Sequence, residues 1–155
     1  STVSTDAKAQ LAKEAGADEV IMYTQDDFAE KIKAATNGEG LRVVYDAVGK
    51  TTFDQSISCL GRRGHMVLYG NASGPVPDMS PGKLGVGSLY LTRPGLGDYT
   101  VSREELEQRS GDVLGWVKSG DLKLRVEHTF PLSEAAEAHR QLEARATTGK
   151  VLLIP

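Results

Sequence analysis

A single cysteine, Cys59, in 155 residues excludes an intramolecular disulfide and fits a reducing cytoplasm. No apolar run approaches the roughly 18 to 20 residues that a bilayer-spanning helix needs, and no secretory leader is visible, so a cytoplasmic protein is the expectation. Positive charge is not in excess: 18 Lys and Arg stand against 21 Asp and Glu, a formal net charge of -3. That balance, with no basic stripe, argues against nucleic acid or anionic lipid as a partner. Repeats and low-complexity tracts are absent. His65, His128 and His139 have no ligand-like spacing with one another or with Cys59, so no metal ligand is assigned. His139 reads as a structural histidine near the apolar face of the last helix. No Ser-His-Asp or paired-carboxylate constellation can be assembled, so no catalytic residue is assigned either. Asp26-Asp27 and Glu104-Glu105 fall in first helical turns, where negative charge is simply favourable.

What is present is an alternation of apolar strands with amphipathic helices, in a chain whose 39% hydrophobic content suffices for a core. Ser1 to Val3 reads as the tail of a strand, and Thr5 with Asp6 opens a helix whose inward face is Ala7, Leu11 and Ala15. Glu19 to Tyr23 reads as a strand, after which Asp26 is expected to cap a helix burying Phe28, Ile32 and Ala35. Leu41 to Tyr45 is nearly unbroken in its apolar character, the pattern of a strand covered on both faces. Thr51 and Asp54 suggest a capping box for a helix lined by Phe53, Ile57 and Leu60, and His65 to Tyr69 is a further strand. Strand–helix units in series imply a parallel sheet with right-handed crossovers. From Asn71 to Gly87 prolines and glycines mark a long loop. Ser88 to Thr92 then reads as a strand, and Ser102 with Glu105 as the start of a helix closed by Gly120. Leu122 to Val126, a helix from Ser133 to about Ala146, and a strand from Lys150 to Ile154 complete the series.

A doubly wound dinucleotide domain carries its phosphate loop after the first strand and its ribose-reading residue at the end of the second. No G-x-G-x-x-G occurs here; Gly38-Glu39-Gly40 and the glycines from Gly82 to Gly87 read as loops. The expected architecture is therefore α/β, a partial doubly wound (Rossmann) parallel sheet without its first strand and glycine-rich loop. In the strand order 3-2-1-4-5-6 that omission leaves a gap one strand wide, about 10 Å, between the strands near Ser1 and Glu19 and those near Leu41 and His65. The expectation is a piece of a longer polypeptide that turns over negligibly by itself.

Several stretches resemble the zinc-independent quinone oxidoreductase (zeta-crystallin-like) branch of the medium-chain dehydrogenase/reductase superfamily. They are Val3-Ser4-Thr5-Asp6-Ala7-Lys8, Val43-Val44-Tyr45-Asp46-Ala47-Val48-Gly49, Tyr69-Gly70-Asn71-Ala72-Ser73-Gly74, Ser88-Leu89-Tyr90-Leu91-Thr92-Arg93-Pro94 and the terminal Thr148 to Pro155. The resemblance implies a C-terminal part: residues 1–97 as a partial dinucleotide-binding domain, and 98–155 as an α+β segment that returns to the catalytic domain. It also implies hydride transfer from NADPH to a quinone or conjugated carbonyl. An enoyl-thioester reductase and a non-catalytic nucleotide- or RNA-binding relative remain alternatives on the same scaffold.

Candidate cofactor residues follow from strand ends and from the resemblance together. Ser4 stands where NAD-specific enzymes of this fold carry an acidic side chain, and a hydroxyl with Lys8 four residues on suits a 2′-phosphate. The resemblance makes Lys8 and Tyr23 contacts of that phosphate, though each also reads as an ordinary surface side chain. Gly70, Asn71 and Ala72 follow a strand at its carboxyl end, where open α/β sheets bind ligands, and the resemblance places them beside the nicotinamide ribose. Val48 is expected to flank the adenosine, and Arg145, on an exposed helix face, matches a family position that reaches the cofactor. The resemblance further implies a homodimer formed through the strand Ser88 to Thr92.

Overall fold

Thr5 begins the first helix by accepting a hydrogen bond from the Lys8 N–H on its hydroxyl, so α1 runs Asp6–Glu14 and ends before Gly16, whose φ is +97°. The computed structural model describes residues 1–155, which fall into two compact units, Ser1–Asp98 and Tyr99–Pro155. In the first unit, β1 (Thr2–Val3) pairs in parallel with β2 (Ile21–Met22). Ala9, Leu11 and Ala12 are the partly covered apolar residues of α1, whereas Ala7 and Ala15 are exposed; the inward face is thus rotated from the one the sequence suggested.

The next helix, α2 (Phe28–Ala35), is capped by Asp27 and not by Asp26. Asp27 accepts from the N–H groups of Ala29 and Glu30, and Asp26 pairs instead with Lys31 at 3.2 Å. Phe28 and Ile32 are half-buried and Ala35 is exposed. A second sheet contains β3 (Leu41–Asp46), β4 (Leu60–Leu68) and β5 (Tyr90–Thr92), all parallel and in that order. Between β3 and β4 lies α3 (Phe53–Ser58), which has no capping box: its N-cap is Thr52, whose hydroxyl is committed elsewhere.

The core of this unit is Phe53 and Ile57 from α3 packed on Met66 and Leu68 from β4. Val76, Met79 and Leu84 from the Pro- and Gly-rich loop close over it, and that loop contains a four-residue helical turn, α4 (Gly82–Gly85). Cross-strand partners His65 and Tyr90 stack with ring centroids 4.5 Å apart. Gly38-Glu39-Gly40 is a loop with a packing role: a Cβ on Gly40 would lie 2.6 Å from the Gly61 nitrogen, so the strands converge closely only without side chains there.

β1 and β3 are not hydrogen-bonded to each other, and each therefore presents an unpaired backbone edge. A cleft of about 560 Å³ lies between them, lined by Ser1 and Thr2 on one side and by Val43, Tyr45 and Ala47 among others on the second. β3 is not covered on both faces, as its apolar run suggested: Tyr45 is 72% exposed and Val43 39%.

In the second unit, α5 (Arg103–Ser119) starts with a complete capping box, Ser102 accepting from the Glu105 N–H and Glu105 accepting from the Ser102 N–H. Gly120 ends it in the left-handed conformation at φ +85°. Replacing Ser102 by alanine is expected to cost about 1 kcal/mol of the stability of this helix, read from urea unfolding followed by circular dichroism. An unchanged midpoint would show that the cap does not hold the helix start. The strand expected at Leu122 to Val126 begins only at Val126: β6 (Val126–Pro131) pairs in parallel with β7 (Lys150–Ile154). A 3-10 turn over Leu132–Glu134 precedes α6 (Ala135–Glu143). His139 is exposed, not on the apolar face. Ala138 is the buried hydrophobic residue of this unit, and Leu114, Trp116 and Leu124 lie more than half exposed. No helix of the chain is long and apolar enough to cross a membrane.

Candidate functional site

Two loops leave the carboxyl ends of β3 and β4 and are laced together. Asp46, the last residue of β3, is buried, and its carboxylate gathers four donors. Oδ1 accepts from the N–H groups of Val48 at 2.7 Å and Gly49 at 2.9 Å; Oδ2 accepts from the hydroxyls of Thr52 at 2.7 Å and Ser56 at 2.8 Å. Burial pushes the Asp46 carboxyl upward, but the four hydrogen bonds outweigh it and hold the group below the ordinary 3.8. The turn needs glycine at position 49 because its φ is +84° and a Cβ would meet the Gly74 carbonyl oxygen at 2.9 Å.

The second loop docks on the first through backbone bonds. The Tyr69 N–H donates to the Asp46 carbonyl, Ala72 to Ala47, and Ser73 to Val48, at 2.9, 3.1 and 2.8 Å. The Ser73 hydroxyl donates to the Val48 carbonyl and accepts from the Thr51 N–H. Gly70 sits where the loops approach most closely, since a Cβ there would lie 2.3 Å from the Ala47 carbonyl oxygen. Val48, Gly70, Asn71 and Ala72, singled out from sequence, thus share one edge, with Asn71 and Ala72 exposed on it. The amide of Asn71 is assigned with its oxygen toward Arg93, because that orientation pairs each group with its complement.

Ser4 and Tyr23 follow the carboxyl ends of β1 and β2, and Lys8 lies in the first turn of α1. The Tyr23 N–H donates to the Val3 carbonyl, and the Thr24 hydroxyl donates to the Ser4 carbonyl. This donor set is a hydroxyl, an ammonium and a phenol beside a helix N-terminus, suited to a phosphate monoester. Arg145 lies in the second unit, past the end of α6 with φ +57°, and so is not on a helix face. Cys59 is a buried free thiol pushed up to about 11, chiefly by burial and then by the Asp27 charge. That leaves it largely protonated at neutral pH. No group of three or more His, Cys, Asp or Glu side chains is placed to hold a metal ion. Sequence reasoning passed over Asp46, Thr52, Ser56 and Arg93. An Asp followed three residues later by Gly was a readable turn signal for the first, whereas the others required knowledge of which strands adjoin.

A family model described as "Zinc-binding dehydrogenase" matches residues 15–153. Over 99% of its length the chain is 47% identical to "Quinone oxidoreductase 1" of Escherichia coli (strain K12), covering 48% of that protein. It is 44% identical to the "2-haloacrylate reductase" of a Burkholderia species, again over 99% of the chain and 47% of the relative. The solved structure of Escherichia coli quinone oxidoreductase complexed with NADPH superposes with a TM-score of 0.94 at 46% identity, covering 99% of this chain and 48% of that one. The chain spans about half the length of the curated relatives it matches.

Proposed function

This chain belongs to the zinc-binding dehydrogenase family, and from that premise we propose that it forms the C-terminal part of an NADPH-dependent quinone oxidoreductase of the zinc-independent, cytoplasmic kind. The observation that carries the reading is the laced pair of loops at the carboxyl ends of β3 and β4, with a phosphate-suited cluster at the ends of β1 and β2. Ligands of open α/β sheets bind along such an edge. Ser4, Lys8 and Tyr23 would hold the 2′-phosphate, Val48 would flank the adenosine, and Gly70, Asn71 and Ala72 would line the nicotinamide ribose. When bound, the dinucleotide supplies hydride to an electron-poor carbon, and the chain's own residues orient it. Quinones and 2-haloacrylates both carry a C=C conjugated to a carbonyl, so the two relatives' names support a conjugated carbonyl acceptor.

Three features of the fold support a larger assembly. The unpaired edges of β1 and β3 support a further strand seated between them, carrying the glycine-rich phosphate loop. The exposed apolar residues of the second unit support its role as a segment of the catalytic domain. β5 pairs only with β4, and its free edge supports a homodimer formed through Ser88 to Thr92.

The cofactor assignment is tested by titrating the chain, extended upstream by the further strand and glycine loop, with NADPH and NADH. NADPH is expected to bind about tenfold more tightly, and Lys8→Gln to abolish the preference, because one charge-assisted contact is worth about 1.5 kcal/mol or more. Equal affinity for the two nucleotides would remove the 2′-phosphate assignment. For the activity, a chain extended upstream by the further strand and glycine loop, with its substrate domain, is expected to oxidise NADPH in the presence of a quinone or enone. No absorbance change with any such acceptor would end the reductase reading.

A further inference from the structure

Strand β5 ends at Thr92, and the parallel ladder with β4 pairs His65 with Tyr90, Met66 with Leu91 and Val67 with Thr92. On β4 the N–H of Tyr69 turns toward β3, where it meets the Asp46 carbonyl. Alternation along a strand therefore turns the backbone groups of Leu68 toward β5. Continuing the register, the Leu68 carbonyl would next receive the N–H of residue 94. Residue 94 is proline and has none. The guanidinium of Arg93 takes that place: Nη1 donates to the Leu68 carbonyl at 3.2 Å and to that of Pro94 at 3.5 Å. Its Nη2 donates to the side-chain oxygen of Asn71 at 3.2 Å, and the Asn71 amide nitrogen donates in turn to the Gly70 carbonyl at 2.8 Å.

From this geometry we infer that Arg93 is a positioning residue for the cofactor site: a splint that closes the end of the β4–β5 ladder and fixes Asn71 and the Gly70–Ala72 loop. The inference rests on reading this edge as the nicotinamide side of a dinucleotide site. The planar fork of arginine suits the task, because one rigid group satisfies a backbone carbonyl and a side-chain oxygen together. Lysine carries its three donors on one nitrogen and does not bracket two separated acceptors as the fork does. Proline removes the competing ladder donor, so the pair Arg93-Pro94 moves the last bond of the sheet from backbone to side chain. The loop bearing Gly70 and Asn71 is thereby tied to β5 as well as to β3.

Two measurements test the inference: amide exchange on the 155-residue chain, and binding on the chain extended upstream by the further strand and glycine loop. Amide hydrogen exchange needs no ligand. In Arg93→Met, the N–H groups of Ala72 and Ser73, which are bonded to Ala47 and Val48, are expected to exchange about tenfold faster, with Val44 and Met66 in the core unchanged. Arg93→Lys should restore part of the protection. Unchanged exchange at Ala72 and Ser73 overturns the splint.

The second measurement titrates NADPH and adenosine 2′,5′-bisphosphate, the latter a probe of the adenine side alone. Arg93→Met is expected to weaken NADPH about fivefold and leave the bisphosphate unchanged. In an Asn71→Ala background the same substitution should add nothing. Equal weakening of both probes, or full additivity with Asn71→Ala, overturns the positioning role. An extended wild-type protein that binds neither probe would remove the dinucleotide reading itself, and the exchange measurement would still decide whether Arg93 holds the loop.

Discussion

Replacing Asp46 by alanine is expected to cost on the order of 3 kcal/mol or more, the largest effect of any single substitution near the candidate site. The carboxylate holds two backbone N–H groups and two hydroxyls, and truncation leaves those of Gly49 and Ser56 buried without an acceptor. The Asp46→Asn substitution should cost far less. The new amide oxygen can keep the Val48 and Gly49 bonds while its NH2 group faces the two hydroxyls, which can turn to accept. The Thr52 hydroxyl has the Gly49 carbonyl, 3.3 Å away, as a second acceptor for its own proton.

The pH dependence separates the charge from the shape. The folded pKa of Asp46 lies below its ordinary 3.8, so the stability it contributes is fully present above that value and is lost as pH falls through the folded pKa. The margin of the natural protein over Asp46→Asn should therefore shrink as the solution is taken from about pH 5 toward about pH 2. Urea midpoints at a series of pH values measure this. A margin that stays constant on acidification would mean that Asp46 acts through shape alone.

The second large effect is expected at Gly70. Its backbone does not require a positive φ, so the constraint is one of space. An alanine Cβ would sit 2.3 Å from the Ala47 carbonyl oxygen and 2.9 Å from the Ala47 carbonyl carbon and Cα, all backbone atoms that cannot rotate away. The loops must separate, stretching the bonds from Tyr69 to Asp46 and from Ala72 to Ala47. Gly70→Ala should cost about 2 to 3 kcal/mol, the usual range for forced overpacking, and should weaken NADPH binding beyond what the stability loss explains. Gly85→Ala is the control, since a Cβ there meets no atom within 4 Å. If the two variants unfold at the same urea concentration, the close approach at Gly70 is not a constraint.

The periodic pattern made the order of elements legible before any coordinates. Helix starts at Thr5 and Ser102, the terminal strand at Lys150 and the α/β alternation all follow from contacts within a few residues. Errors arose where a local signal had two claimants. Asp26 and Asp27 are equally good caps by type; Asp27 takes the role, and Asp26 pairs with Lys31. The N-cap of α3 is Thr52, one residue past Thr51, and its hydroxyl donates to Asp46 six residues back, so no capping box formed over Thr51 and Asp54.

By itself the sequence determined that this is a parallel α/β chain with candidate ligand residues at strand ends, and its motifs identified the relatives it resembles. Those properties are written in short-range spacing and in residue type. The tertiary structure alone decided that Asp46 collects four donors, that Gly70 must lack a side chain, and that Arg93 replaces the missing N–H of Pro94. Ser56 reaches Asp46 over 10 positions and Arg93 reaches Leu68 over 25, and spacing along one element carries no record of which element lies beside it.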